Sequence, residues 1–186
     1  MAKNSKSVFG RNLAVLAVVA CVWLVLDVAS KQWAVSASGG AVGTCFAGPL
    51  LGLVDFRLAF NTGMAWSLFS GNPVPLGLFS LAICALILVY VLVIERESSL
   101  VEMVGLALVF SGGLGNAIDR FAAGQVTDFI NFTFMSFPVF NVADMGVTCG
   151  VVIFLVGFLV CSGRRERARA AQAEAADAEG SAKEGE

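Results

Sequence analysis

The 186-residue chain is 58% hydrophobic and 14% charged, with 12 basic and 14 acidic side chains, a formal net charge of −2 and no histidine. A water-soluble domain carries about 25% charged residues, so a soluble globular surface is excluded. The missing imidazole excludes Ser-His-Asp and Cys-His catalysis and the usual imidazole zinc centres.

A basic lead, residues 1–11 with Lys3, Lys6 and Arg11, comes first. Four apolar runs follow at about 13–33, 74–94, 100–118 and 145–161. Each is close to the roughly 20 residues that cross a hydrocarbon core of about 30 Å. With no water there to solvate a backbone, each is expected to be a helix. Four spans put both termini on one side. Lys3, Lys6, Arg11, Arg96, Arg164, Arg165, Arg167 and Arg169 lie on that side, against Lys31, Arg57 and Arg120 on the other. The basic excess marks the cytoplasm, so the loops of about 34–73 and 120–143 are expected outside. The lead, the first run and Ala34-Val35-Ser36-Ala37 resemble a cleavable secretory signal. The three later runs, and Asp27 with Lys31, argue against cleavage. Val42-Gly43-Thr44-Cys45 faintly resembles a lipidation box, but it lies too far along the chain and Thr44 is a poor residue there.

Between the first two runs, Val54 to Phe60 begins with strand-like alternation. Asn61, Thr62 and Gly63 follow, with Gly63 suggesting a turn of close backbone approach. Taken alone, this segment reads as an interfacial hairpin with Trp66 as a belt residue. Residues 164–186 are rich in Ala, Glu and Arg, and are expected to be disordered or a frayed helix with arginines near lipid headgroups. The five cysteines form no C-x-x-C pair. Cys21, Cys84, Cys149 and Cys161 fall in the spans and are expected to be small core residues. Cys45 stands alone in an external loop, so no structural disulfide is expected. Gly112-Gly113-Leu114-Gly115 lacks the Lys-Ser/Thr of a phosphate loop.

A charge at a helix centre costs about 2.5–3.5 kcal/mol on insertion scales, so the polar residues near the membrane need a reason. Asp27 and Lys31, four apart, share one face of the first helix. An ion pair orienting the helix end accounts for them as well as support of a site does. Ser111 and Gly115 are small residues four apart, which suits close helix packing. Asn116, Asp119 and Arg120 lie at i, i+3 and i+4 on one stripe of the third helix. Asp128 follows in Val126-Thr127-Asp128, and Asn141 and Asp144 open the fourth span. Three aspartates thus fall at the external face. Two carboxylates brought together do not ionise independently, and one keeps a proton near neutral pH. Such a pair activates water and protonates a leaving amine. Three independent helix-end caps are the structural alternative, and a small proton-coupled transporter is the functional one. Against the transporter, the middles of spans two to four carry no charge.

These pieces, taken in order, resemble lipoprotein signal peptidase, the type II signal peptidase of bacteria. The matching segments are Asp27-Val-Ala-Ser-Lys31, Asn61-Thr-Gly-Met-Ala-Trp66, Gly115-Asn-Ala-Ile-Asp-Arg120, Val126-Thr-Asp128-Phe-Ile and Phe140-Asn-Val-Ala-Asp144. Each is weak alone; five in order, on the expected spans, are specific. The resemblance implies an all-α membrane bundle of four transmembrane helices, occupying residues 12–163, with a small extracytoplasmic β-rich cradle and an amphipathic helix on the membrane. It implies cleavage of diacylglyceryl-modified prolipoproteins just before the lipidated cysteine, by two aspartates and without metal or other cofactor. By motif those are Asp128 and Asp144. Asn61, Gly63, Asn116, Arg120 and Asn141 match residues lining the family's site, with Asp27, Lys31 and Asp119 in supporting roles. The expected partners are prolipoprotein substrates and membrane lipids, with no nucleic acid. The chain is expected to be a monomer in the bacterial inner membrane. Met64 and Thr127 depart from the family's usual residues, which points to tuned substrate fit.

Overall fold

The computed structural model describes residues 2–63, 71–94 and 99–183. Its elements in chain order are helix α1 (Ala2–Ala37), strands β1 (Cys45–Leu50) and β2 (Val54–Asn61), helix α2 (Pro73–Val89), helix α3 (Leu100–Ala123), strand β3 (Val126–Phe132) and helix α4 (Val142–Lys183). A π-helical turn, Tyr90–Ile94, extends α2. Among the described residues four segments are long and apolar enough to cross a membrane: Val8–Ala37, Pro73–Val93, Leu100–Ala123 and Val142–Cys161. The expected membrane bundle with a small sheet is what forms. Helix α3 is its axis, packing on each of the other three helices. It is 61% buried across its apolar window, against 17–22% for the others, whose outer faces are left for lipid.

Local chemistry sets the helix ends. Asn72 caps α2, its side chain accepting from Val74 N at 3.3 Å, ahead of Pro73 in the first turn. Ser99 and Glu102 form a reciprocal capping box at the start of α3. That box explains a glutamate with no exposed surface in an apolar helix. Gly124, at φ 68°, closes α3 in the left-handed conformation that favours glycine. Because α3 runs on to Ala123, Asn116, Asp119 and Arg120 occupy its last two turns rather than a frayed edge.

Helices α3 and α4 meet backbone to backbone. A Cβ on Gly150 would lie 2.7 Å from Gly105 O and 2.8 Å from Val109 N; one on Gly105 would lie 2.5 Å from Phe154 N. The close-packing role expected of Ser111 and Gly115 therefore belongs chiefly to Gly105, Gly112 and Gly150. Gly115 instead leaves space for a carboxylate, since its Cβ would fall 2.6 Å from Asp27 Oδ2. The cysteine expectation also needs correction. Cys84 alone is buried; Cys21 and Cys149 are exposed and Cys161 is intermediate. On the outer face of a membrane helix the Cys21 thiol meets lipid, so a core is not required to shelter it, whereas Cys149 lines a cavity beside α4.

The three strands form an antiparallel sheet in the order β1-β2-β3. Strands β2 and β3 pair from Val54↔Phe132 to Asn61↔Val126. Trp33, near the end of α1, meets Phe46, Phe56 and Phe129 at ring distances of 5.4–6.2 Å. This aromatic cluster seats the sheet on the bundle. Within the sheet, Asp55 accepts from Arg57 at 2.7–3.0 Å and from Asn131 at 2.8 Å. Hydrogen bonding from Arg57 holds the Asp55 carboxyl below the usual carboxylate range. After β3 the chain doubles back, and Phe140 exchanges two hydrogen bonds with Ile130 before α4 begins. Among the described residues there is no separate surface helix of the amphipathic kind the resemblance implies. Met64 and Trp66 lie outside the described residues.

Candidate active site

The site forms where the end of β2, the middle of β3, the last turns of α3 and the first turn of α4 come together. Helix α4 supplies its own starting geometry. Asn141 Oδ1 accepts from Asp144 N at 2.9 Å, while Asn141 N donates to Asp144 Oδ2 at 3.1 Å. This reciprocal cap satisfies orphan donors at a helix N-terminus, and it turns both side chains toward the sheet. With its oxygen held, Asn141 must point its Nδ2 elsewhere. It donates to Asp128 Oδ1 at 2.7 Å and lies 3.1 Å from Asn116 Oδ1 and 3.3 Å from Thr127 O.

The pairing of β2 with β3 brings Asn61 to Asp128 from 67 positions away. Asn61 Nδ2 donates to Asp128 Oδ2 at 3.1 Å, and Gly63 N donates back to Asn61 Oδ1 at 2.9 Å. From α3, Asn116 Nδ2 donates to Asp144 Oδ1 at 2.7 Å. All four oxygens of Asp128 and Asp144 therefore accept from an asparagine N–H. Asp128 is 3% exposed. Burial first, and then the charge of Asp144, push its carboxyl up to about 7, against the hydrogen bonds from Asn61 and Asn141.

A second, cationic layer lies behind. Lys31, 5% exposed, pairs with Asp27 Oδ2 at 2.8 Å and Asp119 Oδ2 at 3.0 Å. Its Nζ also reaches Asn116 Oδ1 at 3.4 Å. An ammonium only donates, so it fixes the oxygen end of the Asn116 amide and leaves the nitrogen for Asp144. Asp27 does more than pair within α1. Its Oδ1 accepts from Ala143 N at 2.8 Å and so caps α4. Asp119 is taken up by Lys31 and by Thr127 N at 3.2 Å. It stands in the ion-pair layer, not between Asp128 and Asp144. Arg120 bridges α3 to the end of β2, donating to Asn116 O at 3.3 Å and Gly63 O at 3.4 Å.

The two aspartates open onto a cavity of about 570 Å³, with Asn61, Gly63 and Arg120 at its polar end. Phe132, Phe137 and Phe140 wall the remainder, their rings 5.0–5.9 Å apart. Thr148 and Cys149 continue the lining down α4. Sequence reading missed this aromatic wall; the available signal was an uncharged run from 129 to 143 holding five phenylalanines. It also missed Trp23, whose Nε1 donates to Val142 O at 3.1 Å and ties α1 to the start of α4. Thr127 contributes backbone, through its N–H and carbonyl. No group of three His, Cys, Asp or Glu able to hold a metal ion occurs among the described residues.

A family model described as signal peptidase (SPase) II matches residues 19–160. The lipoprotein signal peptidase of Deinococcus radiodurans is 37% identical over 166 residues, covering 82% of this chain and 83% of that one. That of Nostoc punctiforme is 37% identical over 140 residues, covering 75% and 85%. A bacterial membrane enzyme solved by the in meso method at 2.3 Å superposes with a TM-score of 0.71 at 25% identity, covering 81% of this chain and 91% of that one. Another, solved at 1.9 Å, gives 0.68 at 26% identity, covering 78% and 93%. The family match runs from α1 to the end of the membrane-crossing part of α4 and includes every residue of the network above, so the chain belongs to the signal peptidase II family.

Proposed function

We propose that this chain is a membrane-embedded aspartic endopeptidase that removes the signal peptide from diacylglyceryl-modified prolipoproteins just before the lipidated cysteine. Asp128 and Asp144 are the acid–base pair. The observation that carries the assignment is the pair, Asp128 buried and Asp144 half-buried, whose four carboxylate oxygens each meet an asparagine donor. Donors of this kind hold two carboxyls close without neutralising them, and the pair then shares one proton. The unprotonated oxygen takes a proton from water as the water attacks the scissile carbonyl. The protonated carboxyl gives its proton to the leaving amine. The roles belong to the pair, because coupled groups titrate together.

Asn61, Asn116 and Asn141 hold the carboxyl planes. Arg120 and Gly63 edge the cavity where substrate backbone enters. The signal helix of the substrate lies among α2, α3 and α4, with its acyl chains in the bilayer. The enzyme sits in the bacterial inner membrane with both termini in the cytoplasm and the site at the external face, as the basic residues at the chain's ends argue.

The test is a gel-shift cleavage assay on a diacylglyceryl-prolipoprotein, with purified protein in lipid. Asp128→Asn and Asp144→Asn are each expected to lose at least about 10³-fold in turnover, the upper part of the range for acid–base catalysis. Wild-type cleavage before the lipidated cysteine, absent in both variants, supports the reading. Cleavage retained in both single variants overturns the pair.

A further inference from the structure

The two ends of the sheet differ in chemistry. One end, Asn61 opposite Val126, stands at the aspartates; the other, Val54 opposite Phe132, points away from them. Eight residues at about 3.3 Å each separate the ends by roughly 25 Å. Beyond the far end lie two connections, the β1–β2 turn and the loop from β3 to α4. They are tied together: Thr133 N donates to Leu53 O at 3.0 Å, and Thr133 Oγ1 to Gly52 O at 2.6 Å.

This joined tip is apolar and uncovered. Leu51 is 88% exposed, Phe134 61%, Leu50 60%, Leu53 51% and Met135 47%. No charged residue occurs from 46 to 54 or from 129 to 143. The turn at the sheet's other end, residues 36–44, is instead built of Ser, Gly, Ala, Val and Thr. A contiguous apolar patch of this kind is not left in water.

Three observations select lipid as its cover. The loop enters a membrane-crossing segment at Val142, five residues after Phe137, so it is tethered within about 17 Å of that segment. The aromatic wall of the aspartate cavity continues into the tip through Val54, Phe132 and Phe137. The patch itself carries no charge, and beside it the half-exposed Arg57, paired with Asp55 in β2, is a cation of the kind that meets lipid headgroups. We propose that residues 50–53 and 134–137 form a lipid anchor that enters the headgroup–acyl boundary and lays the sheet along the membrane, with the cavity opening at lipid level. An upright sheet would instead raise the tip into water. The anchor does not depend on the peptidase chemistry.

The test places p-benzoylphenylalanine at Leu51, and separately at Phe134, in the full chain in phospholipid nanodiscs without substrate. Val152, 57% exposed on α4, serves as the lipid-facing comparison, and exposed Ala41 as the water-facing one. After irradiation, intact mass reads the phospholipid adduct. Adduct at Leu51 and Phe134 approaching that at Val152, and about tenfold above Ala41, is expected of a segment inserted to the acyl boundary. Adduct at both positions no higher than at Ala41, or crosslinking to a second copy instead, overturns the proposal.

Discussion

At the scale of single residues, the network depends on where protons and charges sit. Asp128 binds its proton more tightly folded than unfolded, with its pKa moved from 3.8 to about 7. Such a carboxyl stabilises the fold below the unfolded pKa, and the contribution is lost as pH rises through about 7. Each pK unit corresponds to about 1.4 kcal/mol. Asp128→Asn removes this dependence, so the variant is expected to raise Tm over wild type more at pH 8 than at pH 5, read by thermal unfolding in detergent. Lys31 carries the opposite burden. Removing it leaves Asp27 and Asp119 without their cation and frees the Asn116 amide to turn. Lys31→Met is expected to cost about 3–5 kcal/mol, as when one partner of a buried pair is deleted. Its charge also lowers the Asp128 pKa, so in the protein that still folds the alkaline limb of the rate profile moves to higher pH. A pH–rate series on the two proteins checks both the loss and the direction.

At the scale of elements, the start of α4 is the most heavily constrained feature. Four side chains from three elements hold it: Asp27 of α1 caps Ala143 N, Trp23 of α1 holds Val142 O, Asn116 of α3 binds Asp144, and Asp128 of β3 takes the Asn141 amide. Acidic groups at a helix N-terminus also meet the favourable end of its dipole. The α3–α4 glycine seam sets how closely this helix approaches. Gly150→Ala drives a methyl against Gly105 O and Val109 N. It is expected to cost about 1–3 kcal/mol through overpacking. Gly163→Ala, with open space around it in the same helix, is the matched change, expected to hold or slightly raise Tm through helix propensity. A melting series on both in one detergent separates the seam from a general effect of adding alanine.

For the whole molecule, four membrane-crossing helices and a small sheet divide the labour. The bundle holds Asp144, Asn116 of α3 and Asn141 at the cap of α4, while the sheet brings Asp128 and Asn61 over them. Orientation is the prediction at this scale. Fusions to a cytoplasm-active fluorescent reporter at either terminus are expected to be bright. An alkaline phosphatase, active only outside, inserted after Gly40 is expected to be active. The reverse pattern would place the aspartates in the cytoplasm and contradict the proposed site of cleavage.

Local and long-range physics divide what could be read beforehand. Crossing helices follow from the length of apolar runs, because a backbone in hydrocarbon has few other options. Asp27, Lys31, Asp119, Asp128 and Asp144 stood out since charge is costly against such a background. The five ordered segments were enough for the family. Partnership was another matter. Nothing local links Asn61 to Asp128, 67 residues apart; the register of β2 against β3 makes that pair. Asp27 read as an i, i+4 ion pair, and only the packing of α1 beside α4 makes it a cap as well. Spacing alone did not separate Asp119 from Asp128; the motifs put Asp128 in the pair and Asp119 in support, and α3 turns Asp119 toward Lys31 while β3 turns Asp128 toward Asn141. The cysteines were misjudged because hydrophobicity does not distinguish a buried face from one that meets lipid, as at Cys21, or lines a cavity, as at Cys149. By itself the sequence determined which residues are costly to keep near a membrane, a one-dimensional property of composition and spacing. Which of them touch was decided only in the tertiary structure, where strand register and helix contact bring residues far apart in sequence within hydrogen-bond distance.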